Sequence, residues 1–468
     1  MKQMNSRWKR LIGTRDFYRY TMSVAVPIMI QNGITNFVSM LDNIMVGKVG
    51  TDSMSGVAIV NQLMFVFSLC IFGGLAGIGI FTSQFYGSDD QEGIRHTVRL
   101  QVILALILTA MGVLVLHFSG ENLISLYLHN DNGIGDATLT MRYAKEYMRI
   151  MFVGMLPFAM GQVYSMTLRS TGETVIPMYA GVAAVCVNLA GNYILIYGKF
   201  GAPAMGAAGA AAATVISRFT EMFLVAGWTH LHTGKYPFIV GVYRRLFDIP
   251  MTRVRTITIK AAPLLLNEAL WSAGMDMLNQ CYSIRGLSVV AATNISSTLT
   301  NVFNVSFIAM GSAIAIILGQ KLGAGDLEGA RDYAGKLTFF SVLICIGTGA
   351  VMLGVSFVFP RIYNTSPEIR RMATGLIAVC SVFMPMQAYL NACYFVIRSG
   401  GRTFITFLFD SCFVWICSVP TAFILAYYTS LPILPLFACV QAVEVIKCVI
   451  GWKMVSGGSW ARNLTENI

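Results

Sequence analysis

Charge is scarce in this sequence. Only 12% of its 468 residues are Asp, Glu, Lys or Arg, while 56% are hydrophobic, against about 25% charged in soluble domains. A chain so apolar cannot hide its side chains in one water-soluble core, so composition places it among polytopic membrane proteins. Paired thiols are missing too. The ten cysteines, Cys70, Cys186, Cys281, Cys345, Cys380, Cys393, Cys412, Cys417, Cys439 and Cys448, all fall in apolar runs, with no CxxC pair. That excludes a disulfide scaffold and leaves small packing residues. Histidine is equally sparse: His230 and His232 stand two apart, where a helical pair on one metal needs three or four. With no nucleophile beside a base and no metal set, a membrane-embedded enzyme is disfavoured. The opening MKQMNSRWKRLIGTRDFYRY has no short apolar core with a small-residue cleavage site, so residues 1–19 are expected to stay as a cytoplasmic segment and not to act as a signal peptide.

What the chain has in abundance is spanning-length apolar sequence. Twelve runs are read near 20–46, 55–84, 97–118, 145–168, 174–197, 205–229, 257–282, 287–319, 337–358, 374–397, 403–427 and 434–455. The second and eighth are long enough to tilt or to project beyond a bilayer. With the N-terminus inside, segments on the cytoplasmic side carry 22 of the Lys and Arg residues and the opposite side nine. This positive-inside asymmetry puts both termini in the cytoplasm of a plasma or inner membrane. The net charge of +11 then orients the chain in the lipid bilayer and is no sign of nucleic-acid binding.

The sequence also repeats itself. A shift of 236 residues aligns Ala25 and Pro27 with Ala261 and Pro263, and SQFYGSDDQEGIR with GQKLGAGDLEGAR; a shift of 229 aligns LRSTGET with IRSGGRT. The expected architecture is all-α, with twelve transmembrane helices in two homologous six-helix bundles related by a pseudo-twofold along the membrane normal. The domain plan is an N-terminal bundle over 20–229, a cytoplasmic connector over 230–256, a C-terminal bundle over 257–455 and a tail over 456–468. In the repeated loops the glycines are read as allowing a tight turn, Asp90 and Asp326 as helix caps, and Arg95 and Arg331 as partners of acids across the turn.

The intramembrane acids single out candidate sites. Asp42 is the one charged residue between Arg19 and Lys48. A helix there crosses the roughly 30 Å bilayer core, where an Asp near mid-span costs about 2.5 to 3.5 kcal/mol. It therefore needs a polar partner, a watery cavity or a cation, unless it snorkels from the helix end near Gly47. In the fifth run Asn188 and Asn192 are four apart, on one helical face; in the sixth, Ala207, Ala210, Ala211 and Thr214 are small. Two amide oxygens, a hydroxyl and a carboxylate are hard donors suited to Na+, or a hydrogen-bond set around a protonatable Asp42; the alternative is that the amides only tie helices together. In the seventh run Glu268, Trp271, Asp276 and Tyr282 combine acids with aromatic rings, as a lipophilic organic cation would require, although Asp276 also suits a water-facing helix end. Arg218 with Glu221 and Glu444 with Lys447, each spaced by three, are read as local pairs. Asp410 has no evident partner on its own helix and is a secondary candidate.

The stretch PIMIQNGITNFVSMLDNIMVGKVG, the NLAGNYILIYG and GAAGAAAAT segments, and the duplicated Q-x2-G loop resemble the multidrug and toxic compound extrusion (MATE) family over essentially the whole chain. The resemblance implies a V-shaped pair of bundles acting as an antiporter, functional as a monomer, that exports cationic amphipathic compounds in exchange for inward Na+ or H+, with no other cofactor. It also implies that Asp42, Asn188, Asn192 and Thr214 form the cation site and that Glu268 is the acid of the seventh helix. Some members carry an acid where Asn192 stands, and the tenth helix here lacks the acid of the Na+-driven branch, so the coupling ion stays open. The alternative reading is a flippase for lipid-linked precursors, which favours a cationic cavity for phosphate headgroups.

Overall fold

A computed structural model describes residues 11–127 and 136–466. Lys2, Arg7, Lys9 and Arg10, counted above as cytoplasmic charge, lie outside the described residues. Among the described residues the chain is helical, without strands. The long helices in chain order are α1 (Arg15–Gly47), α2 (Thr51–Gly87), α3 (Gln91–Ser125), α4 (Ala137–Ser170), α5 (Val175–Tyr197), α6 (Ala207–Leu231), α7 (Met251–Ser283), α8 (Leu287–Gly323), α9 (Leu327–Ser356), α10 (Pro367–Ser399), α11 (Thr403–Tyr428) and α12 (Ile433–Ser456). All of these except α1 and α7 pass as membrane spans by length and apolarity among the described residues. Those two are the first helices of the halves, carrying Gln31, Asn32, Asn36 and Asp42 or Asn267, Glu268, Asp276, Asn279 and Gln280. The chain is a multi-pass membrane protein.

Contacts divide it into two compact units. The N-unit comprises Ile30–Thr82 and Asp90–Thr258; the C-unit comprises Met1–Met29, Ser83–Asp89 and Ile259–Ile468. The start of α1 and the end of α2 therefore pack with the second half of the sequence. Phe17 joins Ile314, Leu318 and Leu337 in one core cluster, and Val24, Ala25 and Ile28 join Ala309, Met310 and Ala313 in another. In the N-unit, α2, α4 and α6 share a core through Val60, Ile71, Met151, Met155, Ala210 and Ala211. Small residues press α6 onto α5: a Cβ on Gly209 would stand 2.5 Å from the Leu195 carbonyl oxygen. The connector between α6 and α7 lies on the N-unit, where Arg99 donates to the Asp248 carbonyl at 2.7 Å and Phe238 is buried.

The repeated Q-x2-G motif has a role different from the turn read in the sequence. A Cβ on Gly87 would meet the Gln320 carbonyl oxygen at 1.9 Å, and one on Gly323 would meet the Gln84 carbonyl oxygen at 1.9 Å. The glycines are there because the ends of α2 and α8 cross backbone to backbone, each glycine on the glutamine of the other copy. The left-handed turn falls two residues later, on Asp89 (φ 55°) and Gly325 (φ 76°), residue types that tolerate it. Asp90 and Asp326 cap the next helices as expected, each accepting from a glycine N–H at 2.8 Å. Arg95 pairs with Glu92, whereas Arg331 donates to the Gly458 carbonyl at 3.4 Å and not to an acid.

Candidate cation site

In the N-unit, α1, α5 and α6 bring four of the candidate residues together. The tight α5–α6 packing buries Asn188 and Asn192 and turns them, four residues apart, toward α1. Asn192 Nδ2 donates to Asp42 Oδ1 at 2.6 Å and to Asn188 Oδ1 at 3.3 Å, and Asn188 Nδ2 donates to Thr214 Oγ1 at 3.3 Å. Tyr197 Oη, donating to the Met45 carbonyl at 3.0 Å, fastens α5 to the end of α1 one turn beyond the acid.

No ion pair among the described residues includes Asp42. Asn192 Oδ1 is buried with no hydrogen-bond partner. With its amide nitrogen toward the acid, Asn188 donates to Asp42 Oδ1 and Oδ2 at 3.0 and 2.9 Å, in place of its bonds to Asn192 and Thr214. The cluster can thus hold a hard cation or a proton.

The C-unit arranges its candidates differently. Glu268 on α7 is half-buried beside Tyr394, Arg398 and Asp410. Asp276 and Trp271, on the same helix, are exposed, while Tyr282 is buried against Phe437 at 5.4 Å between ring centroids. The structure does not gather these three around Glu268. Asp410 has partners on other helices: Lys447 Nζ donates to its Oδ1 at 2.8 Å and Asn267 Nδ2 to its Oδ2 at 3.2 Å. It sits in a π-turn of α11, Leu408–Cys412, followed by another, Val414–Ser418. Such turns recur at functional sites. Here Ser411 Oγ donates to Asn267 Oδ1 at 2.7 Å and Trp415 Nε1 to the Leu270 carbonyl at 2.8 Å, both on α7.

The two local pairs read in the sequence are replaced by contacts across helices. Lys447 turns to Asp410 while Glu444 accepts from Gln387 Nε2 at 2.7 Å. Arg218 stands 5.0 Å from the Phe158 ring centre and donates to the Gly154 carbonyl at 3.4 Å. Spacing by three permits a contact on one helix, but partners on neighbouring helices are met at better geometry. Sequence reasoning missed Asn267, Tyr394, Gln387 and Tyr197. Asn267, beside Glu268 in an apolar run, was the one visible signal.

A model of the MatE family matches the chain twice, over residues 27–194 and 263–427, so each half is a copy of the same unit. The chain is 24% identical over 455 residues to a probable multidrug resistance protein NorM of Thermotoga maritima, covering 94% of this chain and 92% of that protein. It is 25% identical over 419 residues to the multidrug resistance protein MdtK of Pectobacterium atrosepticum, covering 87% of each. In fold it is similar to a multidrug resistance MATE family transporter of the MOP superfamily solved in an outward-facing conformation, with a TM-score of 0.84 at 19% identity over 96% of this chain and 98% of the other. Two family matches in tandem across most of the sequence place this chain in the MatE family.

Proposed function

We propose that the chain is a multidrug efflux antiporter whose coupling cation, Na+ or H+, is taken up at Asp42 with Asn188, Asn192 and Thr214. Family membership and relatives named as multidrug resistance proteins support export of small molecules. The observation that carries the coupling site is an acid in an apolar helix beside amides, in no ion pair among the described residues, with the buried Asn192 Oδ1 left without a donor. Loading by Na+ or a proton neutralises Asp42 within its amide cluster, and release restores the negative charge. Two states of one cluster that differ in affinity for a cation are the requirement for coupling. Inward movement of one positive charge gains about 2.3 kcal/mol per 100 mV.

The exported compounds are proposed to be amphipathic organic cations, with Glu268 the acid available to them. Vesicles holding the full chain, loaded with a fluorescent organic cation and given a Na+ gradient or a pH gradient separately, test this reading. One gradient is expected to drive export, and Asp42→Asn to abolish the driven component while the chain still inserts. Export by Asp42→Asn at the wild-type rate removes Asp42 from the coupling, and export driven by neither gradient removes the antiporter reading.

A further inference from the structure

The ends of α11 and α12 in the C-unit frame an apolar cavity of about 170 Å³ lined by Ile405, Leu408, Phe409, Phe413, Ile450 and Met454. It is a groove open to the outside of the unit, since Leu408 and Ile450 are 46% and 40% exposed. Along a membrane span that exposure faces hydrocarbon. A dry apolar cavity of about 150 Å³ is enough to admit benzene, so the groove has room for a segment of acyl chain.

Its mouth is basic and aromatic. Arg402 is the N-cap residue of α11, one turn before Ile405, and Lys453 is in the last turn of α12, beside Met454. Arg402 Nε is buried without a hydrogen-bond partner. Phe404 and Trp452, 60% and 61% exposed, flank the same end, as rings at a membrane interface do. The acid nearest along α11, Asp410, is occupied by Lys447 and Asn267. Hydrocarbon lining, with two basic side chains at one end that form no ion pair among the described residues, matches an anionic phospholipid, since basic pockets between transmembrane helices hold phosphate headgroups.

We propose that this groove binds one anionic phospholipid, with an acyl chain against Phe409 and Phe413 and its phosphate on Arg402 and Lys453. The same rings carry the Lys447 ammonium, 5.1 Å from Phe409 and 5.9 Å from Phe413. A chain seated in the groove therefore braces the aromatic wall that encloses the buried Lys447–Asp410 pair. The site does not depend on the antiporter reading.

The test uses the purified full chain in detergent, titrated with phosphatidylglycerol or phosphatidylcholine. Thermal unfolding and native mass spectrometry of retained lipid are the readouts. Phosphatidylglycerol is expected to raise the unfolding temperature by several degrees and to be retained as one molecule, with phosphatidylcholine weaker. Arg402→Gln with Lys453→Gln is expected to shift the phosphatidylglycerol midpoint roughly tenfold or more upward. Leu408→Trp, at an exposed position, fills the groove and is expected to remove the retained lipid even where the basic pair cannot be replaced without loss of folding. Equal responses to the two lipids, an unchanged midpoint in the double variant, retention by Leu408→Trp, or the full shift from glycerol phosphate alone would each overturn the proposal.

Discussion

The two units each hold a carboxylate inside the membrane, and they neutralise it by opposite means. In the N-unit Asp42 accepts from the Asn192 amide, whose bonds run on through Asn188 to the Thr214 hydroxyl, all neutral. In the C-unit Asp410 meets Lys447 at 2.8 Å, with the lysine side chain only 7% exposed. The first acid has no ion pair among the described residues; the other carries its cation tethered to α12. A tethered ammonium cannot diffuse away, so the C-unit acid keeps its partner in place. A scaffold duplicated as a whole thus surrounds one acid with neutral groups and pairs the other with a lysine, a difference that positional agreement between the halves would hide.

The difference is open to direct attack. The largest effect is expected from exchanging charge for amide: Asp42→Asn abolishes gradient-driven export, whereas Asp410→Asn combined with Lys447→Met preserves it, as measured in vesicles under the gradient that drives the wild type. Loss of driven export in that double variant would show that the lysine-paired acid is also part of the coupling. Next comes stability. Lys447→Met alone leaves the half-buried Asp410 with the Asn267 amide and no cation and is expected to cost about 3 kcal/mol, the low end for a broken buried pair, with the Asp410→Asn partner change recovering most of it in thermal unfolding. Equal stability of the single and double variants would deny the pair its role.

Where the repeats agree, effects should agree. Gly87→Ala and Gly323→Ala each place a Cβ against a carbonyl oxygen of the other copy's glutamine. Both are expected to destabilise by about 1–3 kcal/mol, while Gly227→Ala, in a helix with nothing within 4 Å of the added carbon, is expected to be neutral or to stabilise. Unequal losses at Gly87 and Gly323 would break the reciprocity of the crossing.

The smallest effect concerns the caps. Lys321 beside Asp326, with the Gly329 N–H, holds that carboxyl below the ordinary carboxylate range. A lowered folded value means that the cap stabilises above the unfolded pKa of about 4 and that its contribution is lost as pH falls through the folded value. Asp326→Ala should therefore cost about 0.5–1 kcal/mol at neutral pH, at the low end for caps because the group is exposed. In strong acid, where the wild-type cap is protonated too, the two proteins should unfold at the same temperature. A difference that persists in strong acid would mean that the alanine disturbs packing and not the ionised cap.

Much of this was legible from residues alone. Apolar runs of spanning length announce twelve helices because a backbone in hydrocarbon must satisfy its hydrogen bonds within each segment. The repeat is visible because turn, cap and crossing residues are held to fixed spacing. Asp42, Asn188, Asn192 and Thr214 could be grouped because an acid and two amides four apart stand out against aliphatic sequence. What the pattern did not disclose was the meaning of some of the same letters. Gly87 and Gly323 read as turn formers, yet they are thinned backbone at a helix crossing. Lys447 read as the neighbour of Glu444, yet its partner is 37 residues away. Asp276, Trp271 and Tyr282 read as companions of Glu268 along one helix, yet their helical phases and depths send them to different surroundings.

The sequence by itself determined the class of the molecule, its count of membrane helices, its duplication and the acids that need a positive partner, because each follows from local composition and periodicity. Only the tertiary structure decided which partner each acid received, since contacts between side chains on different helices depend on packing and rotation about each axis. A spacing along one chain does not encode those.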